Sequence, residues 1–394
     1  MNPEIHVLLV SEQAAPNLLP ALDPALKPLT AVLVVSAKMK GRAEDLEAVL
    51  AESGVRTMRV SLDDEHDFAK LESALIDFAA AHEGQRVALN VTGGTKLMAL
   101  AAQTVANAAG WQVFYVDVDT DEAIWLGSEA RRQPLTQQLR LRHYLRGYGF
   151  ILDQRVARPQ PNQRYNDLLQ TLIVQMGSLE KPLSQLNWLA QQAEDRDSLD
   201  VAMSPEQLDS RSLEALLRNL EEAQILSLKR EIITFAGNAE RSFAKGGWLE
   251  TYVFRTVSAL TEELALRDKA MNVVVLDKNG VKNELDVAFL ARNRLFVIEC
   301  KTARMDKPEA PKANDALFKL SEVCRRVGGL GTRGMLASYR RLGDAERRLA
   351  AALRVEVVCG PGLARLDKRI KAWVRGGDRG HRRGNSGSGN LASD

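Results

Sequence analysis

Five short apolar, β-branched runs constrain the first third of this chain: Ile5–Val10, Ala31–Ser36, Val55–Ser61, Arg86–Val91 and Trp111–Asp117. Each is predicted as a strand, and helical stretches near Glu44–Ser53, Phe68–His82 and Lys96–Ala109 fall between them. Strands alternating with helices imply a mainly parallel sheet covered on both faces, with a Rossmann-like winding. Ligands bind such sheets beyond the carboxyl ends of the strands. Three of those ends are polar or basic here: Ser11-Glu12-Gln13, Ser36-Ala37-Lys38-Met39-Lys40 and Thr92-Gly93-Gly94-Thr95-Lys96.

The third of these carries the most chemistry. Asn90-Val91-Thr92-Gly93-Gly94-Thr95-Lys96 joins a strand to a helix rich in Ala and Leu. Glycines let backbone approach a phosphate, and the free N–H groups and positive dipole end of the helix point at it. Thr92, Thr95 and Lys96 add hydroxyls and a charge. The order fits neither a Walker A loop nor a Gly-x-Gly-x-x-Gly fingerprint, so the sequence supports neither ATP hydrolysis nor dinucleotide redox chemistry. By itself a Gly-Gly turn is more often a plain strand-to-helix connection.

A second pattern lies near the other end. Leu285, Val287 and Phe289 alternate with Glu284, Asp286 and Ala288, and Phe296 and Ile298 alternate with Val297, Glu299 and Lys301. This is the period of paired strands. With a four-residue turn at Ala291-Arg292-Asn293-Arg294, position 290 faces 295, Asp286 faces Glu299 and Glu284 faces Lys301. Directly opposed residues have Cβ atoms roughly 5 Å apart, so the two carboxylates repel unless a hard divalent cation joins them. Lys301, on the face of Glu299, is placed to orient water or to steady charge on a phosphate. Cys300 points to the opposite face and reads as a small buried side chain, with its backbone carbonyl available to a metal. Upstream, Leu249, Val253, Val257 and Leu260 recur at helical spacing and put Glu250 in the first turns of a helix. Glu250 there is either a third carboxylate of the site or a side chain satisfied by the helix dipole.

The Asp286 and Glu299-Cys300-Lys301 pattern resembles the PD-(D/E)xK nuclease superfamily. The N-terminal sheet with its Asn-x-Thr-Gly-Gly-Thr-Lys run resembles the CARF domain, the CRISPR-associated Rossmann-like sensor of cyclic oligoadenylates. In this order the two look like the single-CARF CRISPR ancillary nucleases activated by cyclic tetra-adenylate. The resemblance implies a homodimer whose CARF cleft holds the activator, and metal-dependent cleavage of DNA and/or RNA in type III CRISPR antiviral defence. It implies Ser11, Gln13, Met39, Lys40, Thr92, Gly93, Gly94, Thr95 and Lys96 as ligand-binding residues. It implies Asp286, Glu299 and Lys301 as catalytic, with Glu250 and Glu284 as supporting carboxylates. Asp286, Glu299 and Cys300 would hold Mg2+ or Mn2+. Two other classes stay open: a ligand-sensing transcription regulator that reads DNA through its middle segment, and a constitutive repair or restriction nuclease.

The expected organisation is a CARF sensor over 1–140, a helical, winged-helix-like connector over 141–240, an α/β restriction-endonuclease-like domain over 241–375 and a disordered tail over 376–394. In the connector, helices around Asn166–Met176, Leu183–Gln192 and Ser212–Ala223 precede a short basic hairpin through Lys229-Arg230-Glu231. The length of 394 residues and an apolar content of 45% allow two or three packed domains. No apolar run reaches a membrane-spanning length, and no signal-peptide pattern opens the chain. Three cysteines without paired spacing favour a reducing cytoplasm, and five scattered histidines leave oxygen ligands for any metal. The net charge of +2 hides a concentration of Arg and Lys after the hairpin, among them Arg304, Lys307, Lys319, Arg325, Arg326, Arg340 and Arg341. Such charge draws in a polyanion or simply solvates a helix.

Overall fold

A computed structural model describes residues 3–127, 130–137, 139–153, 165–302 and 312–376. Arg304, Lys307 and the Gly- and Ser-rich tail after Gly376 lie outside the described residues. The strands are β1 Ile5–Leu9, β2 Thr30–Ser36, β3 Arg56–Leu62, β4 Val87–Asn90, β5 Gln112–Asp117, β6 Glu122–Leu126, β7 Arg132–Pro134 and β8 Ile151–Leu152. After them come β9 Asp200–Ala202, β10 Leu226–Lys229, β11 Ile232–Phe235, β12 Asp268–Leu276, β13 Lys282–Ala291, β14 Arg294–Lys301, β15 Arg333–Ser338 and β16 Val355–Cys359. Two compact units divide the chain.

The first unit comprises residues 1–157, 266–297 and 322–333. Its larger sheet has the order β3-β2-β1-β4-β5-β6-β7, parallel from β3 through β5 and antiparallel at β6 and β7. β1 and β2 are buried along their whole length, as a sheet covered on both faces requires. On one face Val7, Leu9, Val32, Val34 and Leu89 pack with Leu71, Leu75 and Phe78 of the helix Phe68–Ala81 and with Met98, Ala102 and Val105 of the helix Lys96–Ala108. His6, on the other face, is fully buried, and burial alone pushes its imidazole down to about 3. It is a neutral core residue.

The order reverses at β1, which lies between β2 and β4. That reversal is where open α/β sheets form their ligand crevice. The same unit holds a run of strands in the order β14-β13-β12-β8, with β12 and β13 antiparallel from Asp268↔Leu290 to Leu276↔Lys282.

The second unit comprises residues 158–265, 298–321 and 334–394. Its helices Asn166–Val174, Met176–Asp195 and Arg211–Glu222 accompany an antiparallel sheet of order β10-β11-β9. The β10–β11 pair is the expected wing, and β9 adds a third strand to it. Leu213, Leu216, Leu217 and Leu220 bury one stripe of Arg211–Glu222, and Ser210 caps its first turn by accepting from Leu213 N. The end of β14, then β15 and β16, follow in the order β16-β15-β14, with β15 and β16 parallel. Among the described residues no helix is long and apolar enough to cross a membrane.

Candidate functional site

In the first unit, Ser11 follows β1 and Thr92–Lys96 follows β4, so both stand at the crevice made by the reversal of strand order. They touch: a Cβ built on Gly93 would lie 3.3 Å from Ser11 Oγ and 2.1 Å from the Leu9 carbonyl oxygen. Gly93 is therefore required by a backbone-to-backbone approach. Gly94 is required by conformation, with φ at 72°.

Thr92 and Thr95 turn out to be builders of the loop. The Thr92 hydroxyl donates to Asn90 Oδ1 at 2.6 Å and accepts from Val116 N at 2.7 Å. Asn90, fully buried, donates to Pro16 O at 2.9 Å and to Asn17 Oδ1 at 3.2 Å. The Thr95 hydroxyl caps the helix Lys96–Ala108 by accepting from Met98 N. What the loop offers to a ligand is the helix N-terminus and the exposed Lys96.

Met39 ends a 3-10 turn and Lys40 opens the helix Lys40–Glu52, at the end of β2. Lys38 beside them is paired with Glu65 at 2.8 Å, which holds its ammonium above the usual range. Gln13 Oε1 accepts from Tyr148 OH at 3.2 Å, and Arg42 lies over the Tyr148 ring. The two tyrosines of the junction helix Leu141–Gly147 and its cap, Tyr144 and Tyr148, are stacked and buried, so that segment packs inside its own unit.

β13 and β14 are joined by Arg292-Asn293, both at positive φ, the two-residue turn that matches strand twist. The expected four-residue turn is corrected to this shorter one, which is centred on the same bond and leaves the pairing unchanged. Phe289 and Phe296 stack with centroids 5.1 Å apart and planes 5° apart, as that register demands. Asp286 is half-buried and Glu284 exposed on β13. Opposite Asp286 in the β12 register stands Asn272, whose φ of 52° interrupts the ladder.

The tip of this hairpin is gripped by the loop after β5. Asp121 accepts from the Arg267 guanidinium and from the Asn293 amide, and Asp119 binds Arg294 at 2.5 Å. Burial raises the Asp121 carboxyl above its ordinary range while Arg267 and Asn293 pull it back. No motif marked these aspartates in the sequence, because they are distant in the chain from what they hold.

In the second unit, Glu299 is 5% exposed and accepts from Lys301 Nζ at 2.6 Å. Lys301 is the last residue of β14, and its carbonyl accepts from Tyr339 N at 2.9 Å. Glu250 sits in the first turn of the helix Trp248–Ala259, whose Leu249, Val253 and Val257 are buried as their spacing predicts. A π-turn, Phe243–Gly247, precedes that helix. Cys300 is buried. Among the described residues no group of three or more His, Cys, Asp or Glu side chains is placed to hold a metal ion. A hard cation of the Mg2+ kind needs fewer side chains, since it binds through one or two carboxylates and keeps its waters.

Two family models match the two ends of the chain: the Card1 CARF domain over residues 5–144, and the Card1-like endonuclease domain over residues 237–376. The chain belongs to the Card1-like CARF nucleases. Its sensor loop lies in the matched CARF region, and all five candidate catalytic residues lie in the matched endonuclease region. Among solved structures, protein VC1899 from Vibrio cholerae is 28% identical with a TM-score of 0.86, covering 94% of this chain and 98% of its own. Can2 from Sulfobacillus thermosulfidooxidans, solved with cyclic tetra-adenylate, is 24% identical with a TM-score of 0.76, covering 94% and 97%. A type III CRISPR defence DNA nuclease activated by cyclic oligoadenylate is 20% identical with a TM-score of 0.54, covering 87% of this chain and 46% of its own. No curated protein matches the chain.

Proposed function

We propose that this CARF nuclease is switched on by cyclic tetra-adenylate and then hydrolyses phosphodiester bonds in DNA and/or RNA as part of type III CRISPR defence. The Asp121 grip carries the switch: the loop that follows a sensor strand holds the tip of the hairpin that bears Asp286. Thr92 of the ligand loop is bonded to the same sensor strand through Val116 N, so a ligand that shifts the loop acts on β5 directly. A ligand shifts the nuclease only by its differential affinity for the two arrangements. A ring of four phosphates with near-equal halves suits two copies of Thr92–Lys96 across a homodimer.

At the nuclease site, the sequence register in which position 290 faces 295 would pair Asp286 with Glu299 and Glu284 with Lys301. Asp286, Glu299 and the Cys300 carbonyl would hold Mg2+ or Mn2+, which when bound supplies a Lewis acid for the phosphate. Glu299 keeps Lys301 oriented through their bond, and the ammonium orients water or steadies the charge that grows on the phosphate. Glu250 and Glu284 support the acidic site.

Cleavage measured with divalent metal, with and without cyclic tetra-adenylate, tests the reading. Activity should appear only with the activator. Full cleavage with metal alone would favour the constitutive nuclease, and ligand-dependent DNA binding without cleavage would favour the regulator. The activator should also raise the melting temperature, since it binds only the folded protein. Lys96→Ala should shrink that rise more than Lys40→Ala does, because Lys96 stands on the loop at the crevice. Asp121→Asn should keep the thermal shift but lose stimulation by a factor between about 5 and 150, the usual span of coupling between sites. Unchanged stimulation in Asp121→Asn would remove the grip from the mechanism.

A further inference from the structure

The helix Met176–Asp195 lies outside both matched regions, yet one of its faces bonds to the nuclease part of the second unit. Met176 O accepts from Tyr339 OH at 3.0 Å. Glu180 and Ser184 accept from the Arg340 guanidinium, and Glu180 O does so at 3.2 Å. Asn187 Nδ2 donates to Thr302 Oγ1 at 3.2 Å, and Glu194 pairs with Lys245. Positions 176, 180, 184, 187 and 194 follow helical spacing, so one helix face makes all of these bonds.

Two of these bonds lead to Lys301. Thr302 is the next residue in the chain, and Tyr339, whose N–H holds the Lys301 carbonyl, has its hydroxyl on the helix and its ring edge-on to Trp248 at 5.2 Å. Arg340 follows Tyr339 and is 6% exposed, with its charge taken up by the same helix. At Thr302 the fit leaves no slack. Gly246 adopts a φ of 143°, and a Cβ there would come within 2.5 Å of Thr302 Oγ1. The glycine-bearing π-turn thus makes room for the bond between Asn187 and Thr302.

We infer that Asn187 is a positioning residue for the nuclease: through Thr302 it fixes the backbone at Lys301 and makes the connector helix one wall of the active site. The inference rests on Lys301 acting in catalysis as proposed above. It also gives the connector a route to that lysine, since any shift of the helix changes where β14 ends.

The test is steady-state cleavage by the full chain under activating conditions, with Lys301→Ala as the control. Asn187→Ala and Thr302→Val should each lower kcat by about 10- to 100-fold, the range usual for residues that orient an acting group, with KM little changed. Thr302→Ser, which keeps the hydroxyl, should restore most of kcat. The double variant should be no worse than either single one, because both remove the same bond. Equal kcat in Asn187→Ala and the parent would overturn the inference. So would a fall in kcat that tracks a fall in melting temperature and is not recovered by Thr302→Ser. If Lys301→Ala itself cleaves at full rate, the reading of the site fails and the inference with it; a dead Lys301→Ala beside a fully active Asn187→Ala sinks the inference alone.

Discussion

Glu299→Gln, Asp286→Asn and Lys301→Ala should each lower ligand-activated cleavage by orders of magnitude while the proteins stay folded and still bind the activator. Glu299 is the most informative of the three, being almost fully buried and bonded to Lys301. A buried carboxylate with one cationic partner contributes little net stability, so its place at a strand end is better explained by chemistry than by folding. Gln keeps the shape and an acceptor oxygen but removes the charge. Loss of a metal ligand or of a charge felt in the transition state costs several kcal/mol of barrier, and about 1.4 kcal/mol is tenfold in rate. Circular dichroism, ligand-induced thermal shift and cleavage rate on the same sample separate folding from function. A Glu299→Gln protein that cleaves as fast as the parent would refute the assignment. Glu250→Gln, on the first turn of the helix Trp248–Ala259 and not on the hairpin, should be milder.

Gly93→Ala should abolish the response to cyclic tetra-adenylate. The added methyl would meet the Leu9 carbonyl oxygen at 2.1 Å, and that partner is backbone in a buried central strand, which has nowhere to go. The loop must move instead. Overpacking of this kind typically costs 1–3 kcal/mol and sometimes more, and here it also drags Ser11, the Asn90–Thr92 bonds and the cap of the helix Lys96–Ala108 out of place. The expected outcome is a lower melting temperature, no further rise on adding the activator, and no stimulated cleavage. An unchanged thermal shift would show that the ligand does not use this loop.

The parallel core was legible because its strands are apolar throughout and its helices carry a clear period, so each of the five strands lies within about two residues of its predicted place. β6 and β7 escaped notice: the first is short and contains Glu122, and the second holds only Arg132–Pro134. The helix Ala15–Leu22 was hidden by Pro16 and Pro20, of which the first suits a helix start and the second does not suit an interior. The nuclease hairpin could be read with its register because aromatic and charged residues mark opposite faces. From Val287 on, both faces of β13 are buried, and there the alternation stopped being informative. Residues that hold the site in place were invisible for a different reason. Asp121, Asn187, Tyr339 and Arg340 act on partners far along the chain, and local spacing carries no record of such bonds. Thr92 and Thr95 lie in the loop the sequence pointed to, but their hydroxyls are consumed in shaping it.

The grip of Asp121 on Arg267 and Asn293 works in both directions. If an occupied sensor favours the working hairpin by some free energy, a hairpin engaged with nucleic acid favours the occupied sensor by the same amount, because linkage between equilibria is reciprocal. The activator is then bound more tightly by an engaged enzyme than by an idle one. The alarm would persist for as long as there is foreign strand left to cut, and its memory would reside in the target as much as in the messenger.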